Sequence, residues 1–113
     1  MLNQGKALLF LLNIQAMFPF VKKRTSGIEH RDMRSAASCS LAALRSVSLA
    51  ILEKSDSELF EWMKQKYPDV KAEDVRRERN LLMSLISAND DGQIDDALSK
   101  LNEFHNMLAD IYE

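Results

Sequence analysis

Few residues in this 113-residue chain are of the types that do chemistry. Its two histidines, His30 and His105, could transfer protons or bind a metal, and its single cysteine, Cys39, could act as a nucleophile. Cys39 has no neighbouring histidine to activate it, and His105 has no cysteine or second histidine at metal-ligand spacing. Glu58 and Glu61 stand one helical turn apart, as magnesium-binding carboxylates do, but no second pair accompanies them. The sequence therefore favours a protein that is not an enzyme, with no catalytic residue, no metal and no cofactor.

A basic segment between residues 22 and 34 supports a different function, which is action on nucleic acid. The spacing of Arg24 and His30 resembles the arginine-to-histidine pair of HEPN-type ribonucleases. That resemblance implies a pair of helical residues brought together across a dimer to cleave RNA. Gly27 departs from it, because a glycine and a predicted helix start between the two residues disrupt the helical geometry. The basic side chains that could contact nucleic acid are Lys22, Lys23, Arg24, Arg31 and Arg34.

Charge is unevenly distributed along the chain. Residues 1–49 hold seven Lys or Arg against two acidic residues, and residues 50–113 hold eight against fifteen. The basic and acidic halves can attract each other within one fold, or between two chains packed antiparallel. The overall pI of about 5.7 is not that of a dedicated nucleic-acid binder. Nucleic acid is therefore the alternative partner and not the expected one.

The composition indicates one all-α domain over residues 1–113. Apolar residues make up 46% of the chain and charged residues 28%, as in folded soluble proteins. There are only 3 glycines and 2 prolines, and β-branched residues are sparse beside Leu, Ala, Lys and Glu, which favours helix. We therefore expect a compact bundle of four to five mostly antiparallel helices around a long central helix. The single cysteine excludes an internal disulfide and is compatible with the reducing cytoplasm, so we expect a cytoplasmic protein.

The long central helix is predicted in the middle of the first half of the chain. Ser26–Glu29 has the Ser-x-x-Glu spacing of a capping box, so the helix should begin there. It is predicted to run to about Lys54, with a break near 33–35 as the alternative. Residues 35–52 contain Arg45 as their only charge, so this helix should be covered on most sides.

Four further helices are predicted, over about residues 6–18, 55–67, 70–88 and 94–111. Pro19 and Pro68 should end the first two, because proline lacks the N–H that a continuing helix needs. Ser55 starts a second capping box, and Asp69 is the predicted N-cap of the helix that follows. The charged residues 71–79 are predicted to be solvated. In the last helix one heptad-type apolar seam is formed by Ile94, Ala97, Leu101, Phe104, Leu108 and Ile111.

The turn before the last helix, Gly92 to Leu98, resembles the helix-to-helix junction of tetratricopeptide repeats. In that family a glycine ends the first helix and an Ala-Leu pair packs the second. The likeness covers one hairpin, about residues 79–108, and no second copy follows at the repeat period of about 34 residues. It implies protein binding by helical hairpins and assigns no functional residue.

Surplus apolar surface in the first half gives the main functional hypothesis. Helix one carries Leu, Phe and Met around most of its circumference, and a domain this small has too few neighbours to cover both this helix and the next. We therefore expect a non-enzymatic helical interaction module, such as an adaptor, chaperone or inhibitor-type regulator. Its expected partners are another protein and, in a homodimer or other homo-oligomer, further copies of itself. The residues expected to bind are Leu8, Leu12, Phe18 and Phe20, with Lys22, Lys23 and Arg24 at the rim.

The opening segment, residues 1–21, resembles a signal peptide in that a lysine precedes an apolar run. It lacks a small-x-small cleavage site, Asn13 and Gln15 interrupt it, and it is too short to span a bilayer as a helix. We expect a structural helix and no membrane partner. Attachment of this helix to a membrane surface is a third hypothesis.

Overall fold

The computed structural model describes residues 2–22 and 40–112, and within these ranges the chain is built of helices joined by short turns. Five α-helices and one 3₁₀ turn account for these ranges, with no strand among them. In chain order they are α1 (Gln4–Met17), the 3₁₀ turn (Pro19–Val21), α2 (Leu41–Leu52), α3 (Asp56–Lys66), α4 (Ala72–Ser87) and α5 (Asp91–Tyr112). The prediction of an all-α bundle is confirmed.

The ends of α1 follow from local chemistry. The Asn3 side chain accepts a hydrogen bond from the Lys6 N–H at 3.1 Å, which satisfies one of the donors that a helix start leaves without a partner. At the other end the Phe18 N–H still donates to the Ile14 carbonyl at 2.8 Å. Pro19 then prevents the helix from continuing, and the chain turns in the 3₁₀ geometry. The predicted end of helix one is confirmed.

The prediction of one continuous helix from Ser26 to Lys54 is wrong at Ser40. Ser40 is extended, with φ −103° and ψ 157°, and its hydroxyl accepts the Ala43 N–H at 3.1 Å. A serine that caps a helix in this way begins it, because its own backbone leaves the helical conformation. The part of the predicted helix before Ser40 lies outside the described residues. α2 itself has only 12 residues, and α5, with 22, is the longest helix within the described ranges.

The predicted capping residue starts α3 but does not start α4. The Ser55 hydroxyl accepts the Glu58 N–H at 3.2 Å, so α3 begins where predicted. Asp69 was predicted to cap α4, but that helix begins two residues later than expected, at Ala72. Asp74, in its first turn, accepts the Lys71 N–H at 3.0 Å and so satisfies the backbone from inside the helix.

The start of α5 differs from the tetratricopeptide-like interpretation. The Asp90 carboxylate accepts the Gln93 N–H at 2.8 Å, and the Gln93 side chain accepts the Asn89 N–H at 2.7 Å. These two bonds begin the helix at Asp91, so Gly92 lies in its first turn and does not end α4. The predicted apolar seam of α5 is buried from Ile94 to Leu108, whereas its last member, Ile111, is 60% exposed.

The helices enclose one hydrophobic core, to which each of them contributes. α4 and α5 form an antiparallel pair, α2 and α3 pack on α4, and α1 packs on α5. α1 runs in the same direction as α5, because Lys6 contacts Asp95 near the start of α5 while Phe10 stacks on His105 farther along it.

Arg79 of α4 binds both the end of α2 and the start of α3. Its guanidinium donates to the Lys54 carbonyl at 2.7 Å and to the Leu52 carbonyl at 3.3 Å. It also lies 3.2 Å from the Asp56 carboxylate at the start of α3. A cation is favourable at this place, because the carbonyls that end a helix lack partners within it.

We expect Arg79→Met to lower the free energy of unfolding by about 1–3 kcal/mol, because the two carbonyls and Asp56 lose a charged donor. Denaturant titration followed by circular dichroism measures this. The matched control is Arg76→Met, which changes an exposed arginine of the same helix and should cost less than about 0.5 kcal/mol. Equal losses in the two variants would contradict the role given to Arg79.

Candidate interaction surface

The outward side of α1 is the clearest candidate for a contact surface. Gly5, Leu9, Leu12 and Ala16 are all exposed, and Pro19 continues the same line beyond the helix. Leu9 is 42% exposed and Leu12 is 38% exposed. Steps of three and four residues place these positions in one stripe along a helix. We call these five residues the α1 stripe.

The α1 stripe carries no charge. Lys6 is the only charged residue among the 14 residues of α1, and it points to the side. Its Nζ donates to the Asp95 carboxylate at 2.9 Å and to the Ser99 hydroxyl at 2.8 Å, both on α5. Asn102 of α5 also donates to the Lys6 carbonyl at 3.1 Å. These bonds are consistent with the rotation of α1 that buries Phe10 and Ile14 and leaves Leu9 and Leu12 facing outward.

The opposite side of α1 fills the protein core. The side chains that are buried there include Ala7, Phe10, Leu11, Ile14 and Met17. α1 is therefore apolar both where it packs on the bundle and where it meets solvent. This explains why the sequence shows an apolar arc wider than one stripe.

Two of the predicted binding residues lie in or near the core. Phe18 is fully buried in the bundle, so it cannot reach a partner in this arrangement. Leu8 is half-buried and packs against the core, whereas Leu12 is exposed as predicted. Leu9 was not among the predicted binding residues. Its spacing of three residues from Leu12 and four from Gly5 could have revealed that it belongs to the same stripe.

The remaining predicted residues follow the 3₁₀ turn. Phe20 is half-buried, and its ring centroid lies 5.7 Å from that of Trp62 on α3. Lys54 holds its Nζ 5.2 Å from the Phe20 centroid, a cation–π contact. Lys22 is exposed. Lys23 and Arg24 lie outside the described residues, as do His30, Arg31, Arg34 and Cys39, so the proposed nucleic-acid surface stays a prediction.

A shallow groove extends the α1 stripe at its C-terminal end. It has a volume of about 200 Å³ and is lined by Ala16, Met17, Pro19, Trp62, Gln65 and Lys66. Ala16 and Pro19 belong to both the stripe and the groove. The half-buried indole of Trp62 therefore adds an aromatic edge to the apolar surface of α1.

A second set of grooves follows the outer seam between α4 and α5. Their volumes are about 280, 380 and 430 Å³, and they adjoin through Lys100, Arg77 and Met107. Arg77 lies over the middle of this seam, with its guanidinium carbon 4.9 Å from the centroid of the Phe104 ring. The apolar floor of the seam is thus already covered by a side chain of the protein, unlike the α1 stripe.

A buried acid–base pair, Glu78 and His105, lies inside the bundle, although the charged residues 71–79 were predicted to be solvated. Glu78 is 0% exposed and His105 is 3% exposed. The His105 Nε2 lies 2.9 Å from each oxygen of the Glu78 carboxyl group, so the two side chains share a buried hydrogen bond. The prediction that residues 71–79 are solvated is wrong for Glu78 and also for Asp74. Neither member of the pair can touch a substrate that stays in solvent.

Helical spacing could have revealed that Glu78 and His105 are each buried, although not that they contact each other. Glu78 stands in line with Val75, Leu82 and Leu85, all buried, at steps of three and four residues. His105 occupies the same kind of position between Leu101 and Leu108 on α5. A single acidic residue in an apolar stripe needs a partner, because a lone buried carboxylate loses its hydration.

Aromatic rings enclose the histidine. Phe10 of α1 is stacked on it, with ring centroids 6.4 Å apart, and Phe104 is tilted against it at 6.1 Å. The His105 Nδ1 is buried and has no hydrogen-bond partner among the described residues. Glu78 is the hydrogen-bond partner that the described residues give this ring, and the pair joins α4 to α5 at the level where α1 packs.

Another polar contact joins α4 to the end of α5. The Tyr112 hydroxyl donates to the Asp74 carboxylate at 2.9 Å, and the same carboxylate accepts the backbone N–H of Lys71. This hydrogen bond raises the pKa of Tyr112 above the ordinary value of 10.0, with smaller contributions from burial and from the charges of Asp74, Glu73 and Asp69.

Comparison with known proteins does not extend this description: no family model, no curated protein and no solved structure matches the chain. Over residues 2–22 and 40–112 there is no cluster of three or more histidine, cysteine or acidic side chains that could hold a metal ion. Among the helices of the same ranges, none combines the length and the hydropathy that crossing a bilayer requires.

We expect His105→Leu to lower the free energy of unfolding by about 3–5 kcal/mol, because it leaves the Glu78 carboxylate buried without a partner. Adding Glu78→Met should restore most of that loss, since the double variant has no acidic group left at this place in the core. Urea titration of both single variants and the double variant measures the effect. Losses that simply add in the double variant would contradict the pairing.

We expect Asp74→Asn to move the pKa of Tyr112 back toward 10.0, since an uncharged amide oxygen is a weaker acceptor than a carboxylate and the Asp74 charge is removed. Ultraviolet titration of tyrosinate in a Tyr67→Phe background isolates this group. Because the pKa is raised in the folded protein, the contact stabilises the fold fully below pH 10.0, and this contribution is lost as the pH rises through the folded-state value. A pKa that does not respond to Asp74→Asn would contradict the contact.

Proposed function

We propose that this protein is a non-enzymatic helical interaction module that binds another protein through the α1 stripe. The observation that carries the proposal is the pair of exposed leucines, Leu9 and Leu12, on a helix side that has no charge. Adaptors, chaperones and inhibitor-type regulators can all work through such a surface, since an apolar helix face fits the groove or the helix of a partner.

Other exposed apolar side chains provide a comparison within the same molecule. Leu49, Met83 and Ile111 are 48%, 50% and 60% exposed. Each stands on a different helix, and scattered exposed apolar residues are ordinary on protein surfaces. Leu9 and Leu12 differ because they are neighbours on one stripe and adjoin the groove beside Trp62. This continuity, and not the size of the area, is what supports the proposal.

The strength of such an interaction can be bounded. Hiding about 400 Å² of apolar area, summed over both partners, would contribute about 10 kcal/mol. Lost translational and rotational freedom costs about 4–15 kcal/mol, so the two terms are of similar size. We therefore expect a weak, concentration-dependent association unless residues beyond the α1 stripe also take part.

Site-specific photo-crosslinking tests the proposal. Leu9 is replaced by a photoreactive benzoylphenylalanine, and the protein is irradiated in the cells that produce it. We expect covalent adducts with protein, identified by mass spectrometry, that disappear when Leu12→Glu is added, because a charge on the stripe opposes burial.

The matched control places the same photoreactive residue at Met83, which is 50% exposed on α4. Position 83 should give fewer adducts than position 9, and its adducts should not respond to Leu12→Glu. Equal yields from positions 9 and 83, or adducts at position 9 that persist with Leu12→Glu, would overturn the proposed function.

A further inference from the structure

We propose that the α1 stripe binds the α1 stripe of a second copy of this chain, with the two helices antiparallel. This inference rests on the proposed function, because it names the partner of the same surface. The two-fold axis would pass midway between Leu9 and Leu12. Going along the helix, the exposed positions are small, large, large and small, at Gly5, Leu9, Leu12 and Ala16.

This order of side chains is the same in both chain directions. The steps between the four positions are 4, 3 and 4 residues, so the pattern is symmetric about the midpoint between Leu9 and Leu12. An antiparallel pair about that centre places Leu9 opposite Leu12 of the second copy, and Gly5 opposite Ala16. A two-fold interface has this property, since residue i contacts residue j and j contacts i. The steps of three and four residues also keep the stripe on the side of the helix that faces a packed neighbour.

The helix dipole also favours the antiparallel direction. An antiparallel pair places the positive N-terminal end of each helix beside the negative C-terminal end of the other, whereas a parallel pair places like ends together.

The area of the stripe sets how firmly the copies associate. Its exposed apolar surface is on the order of 200 Å² per copy, well below the roughly 800 Å² per partner of a standard stable interface. The dimer should therefore form and dissociate with concentration, and it should not be permanent.

Cysteine crosslinking of the purified full-length protein tests the register. In a Cys39→Ser background the introduced thiols are the only ones, since the chain has one cysteine. One preparation carries Gly5→Cys and another carries Ala16→Cys. A side chain at position 5 is tolerated, because its Cβ would lie 3.5 Å from the Asn3 side chain, an ordinary contact. Met83→Cys gives the yield of random collisions.

Mild oxidation of the mixed Gly5→Cys and Ala16→Cys proteins should give about tenfold more disulfide-linked dimer than either protein alone, because pairing holds these two thiols close together. Adding Leu12→Glu to both should reduce the yield to that of Met83→Cys. Equal crosslinking of each protein alone would indicate a parallel pair and overturn the proposal. A yield no higher than that of Met83→Cys, or one that survives Leu12→Glu, would also overturn it. Adducts with other proteins from position 9 would then still support the proposed function.

Discussion

α1 is apolar on two opposite sides, and the bundle covers only one of them. Phe10 and its neighbours enter the core, whereas Leu9 and Leu12 face outward. The rotation that separates the two sides is set mainly by burial, because Phe10 and Ile14 are fully buried and would be exposed if the helix turned. The contacts of Lys6 with Asp95 and Asn102 on α5 hold the same orientation. The outward stripe is thus a consequence of how the bundle closes.

The buried Glu78–His105 pair supports this arrangement from within. It joins α4 to α5 in the layer where Phe10 of α1 stacks on the histidine ring. A buried ion pair need not increase stability over an apolar pair of similar volume. Its geometry is nevertheless demanding, because the histidine nitrogen lies 2.9 Å from both carboxylate oxygens. A shift of α4 along α5 would break this contact beside Phe10 of α1.

Local signals in the sequence predicted much of the fold, whereas long-range partners were beyond it. Pro19 and Ser55 act on the backbone beside them, so the end of α1 and the start of α3 could be predicted. The helix start at Ser40 was not predicted, because a run of small and apolar residues continues through it. A capping serine acts only on the residues beside it and does not interrupt such a run in the sequence. Glu78 was assigned to solvent because its partner lies 27 residues away on another helix. Phe18 was assigned to the surface because neither its spacing nor its type shows which side of the turn meets the core.

Sedimentation equilibrium of the purified chain over a wide range of concentrations tests directly whether α1 pairs with the α1 of a second copy. Such pairing predicts an average mass that rises from the monomer value of 12.9 kDa toward twice that value as the concentration increases. It also predicts that a Leu9→Glu, Leu12→Glu variant with unchanged helix content stays at the monomer mass. A wild-type mass of 12.9 kDa at every concentration would contradict pairing through α1, as would a variant that associates as strongly as the wild type.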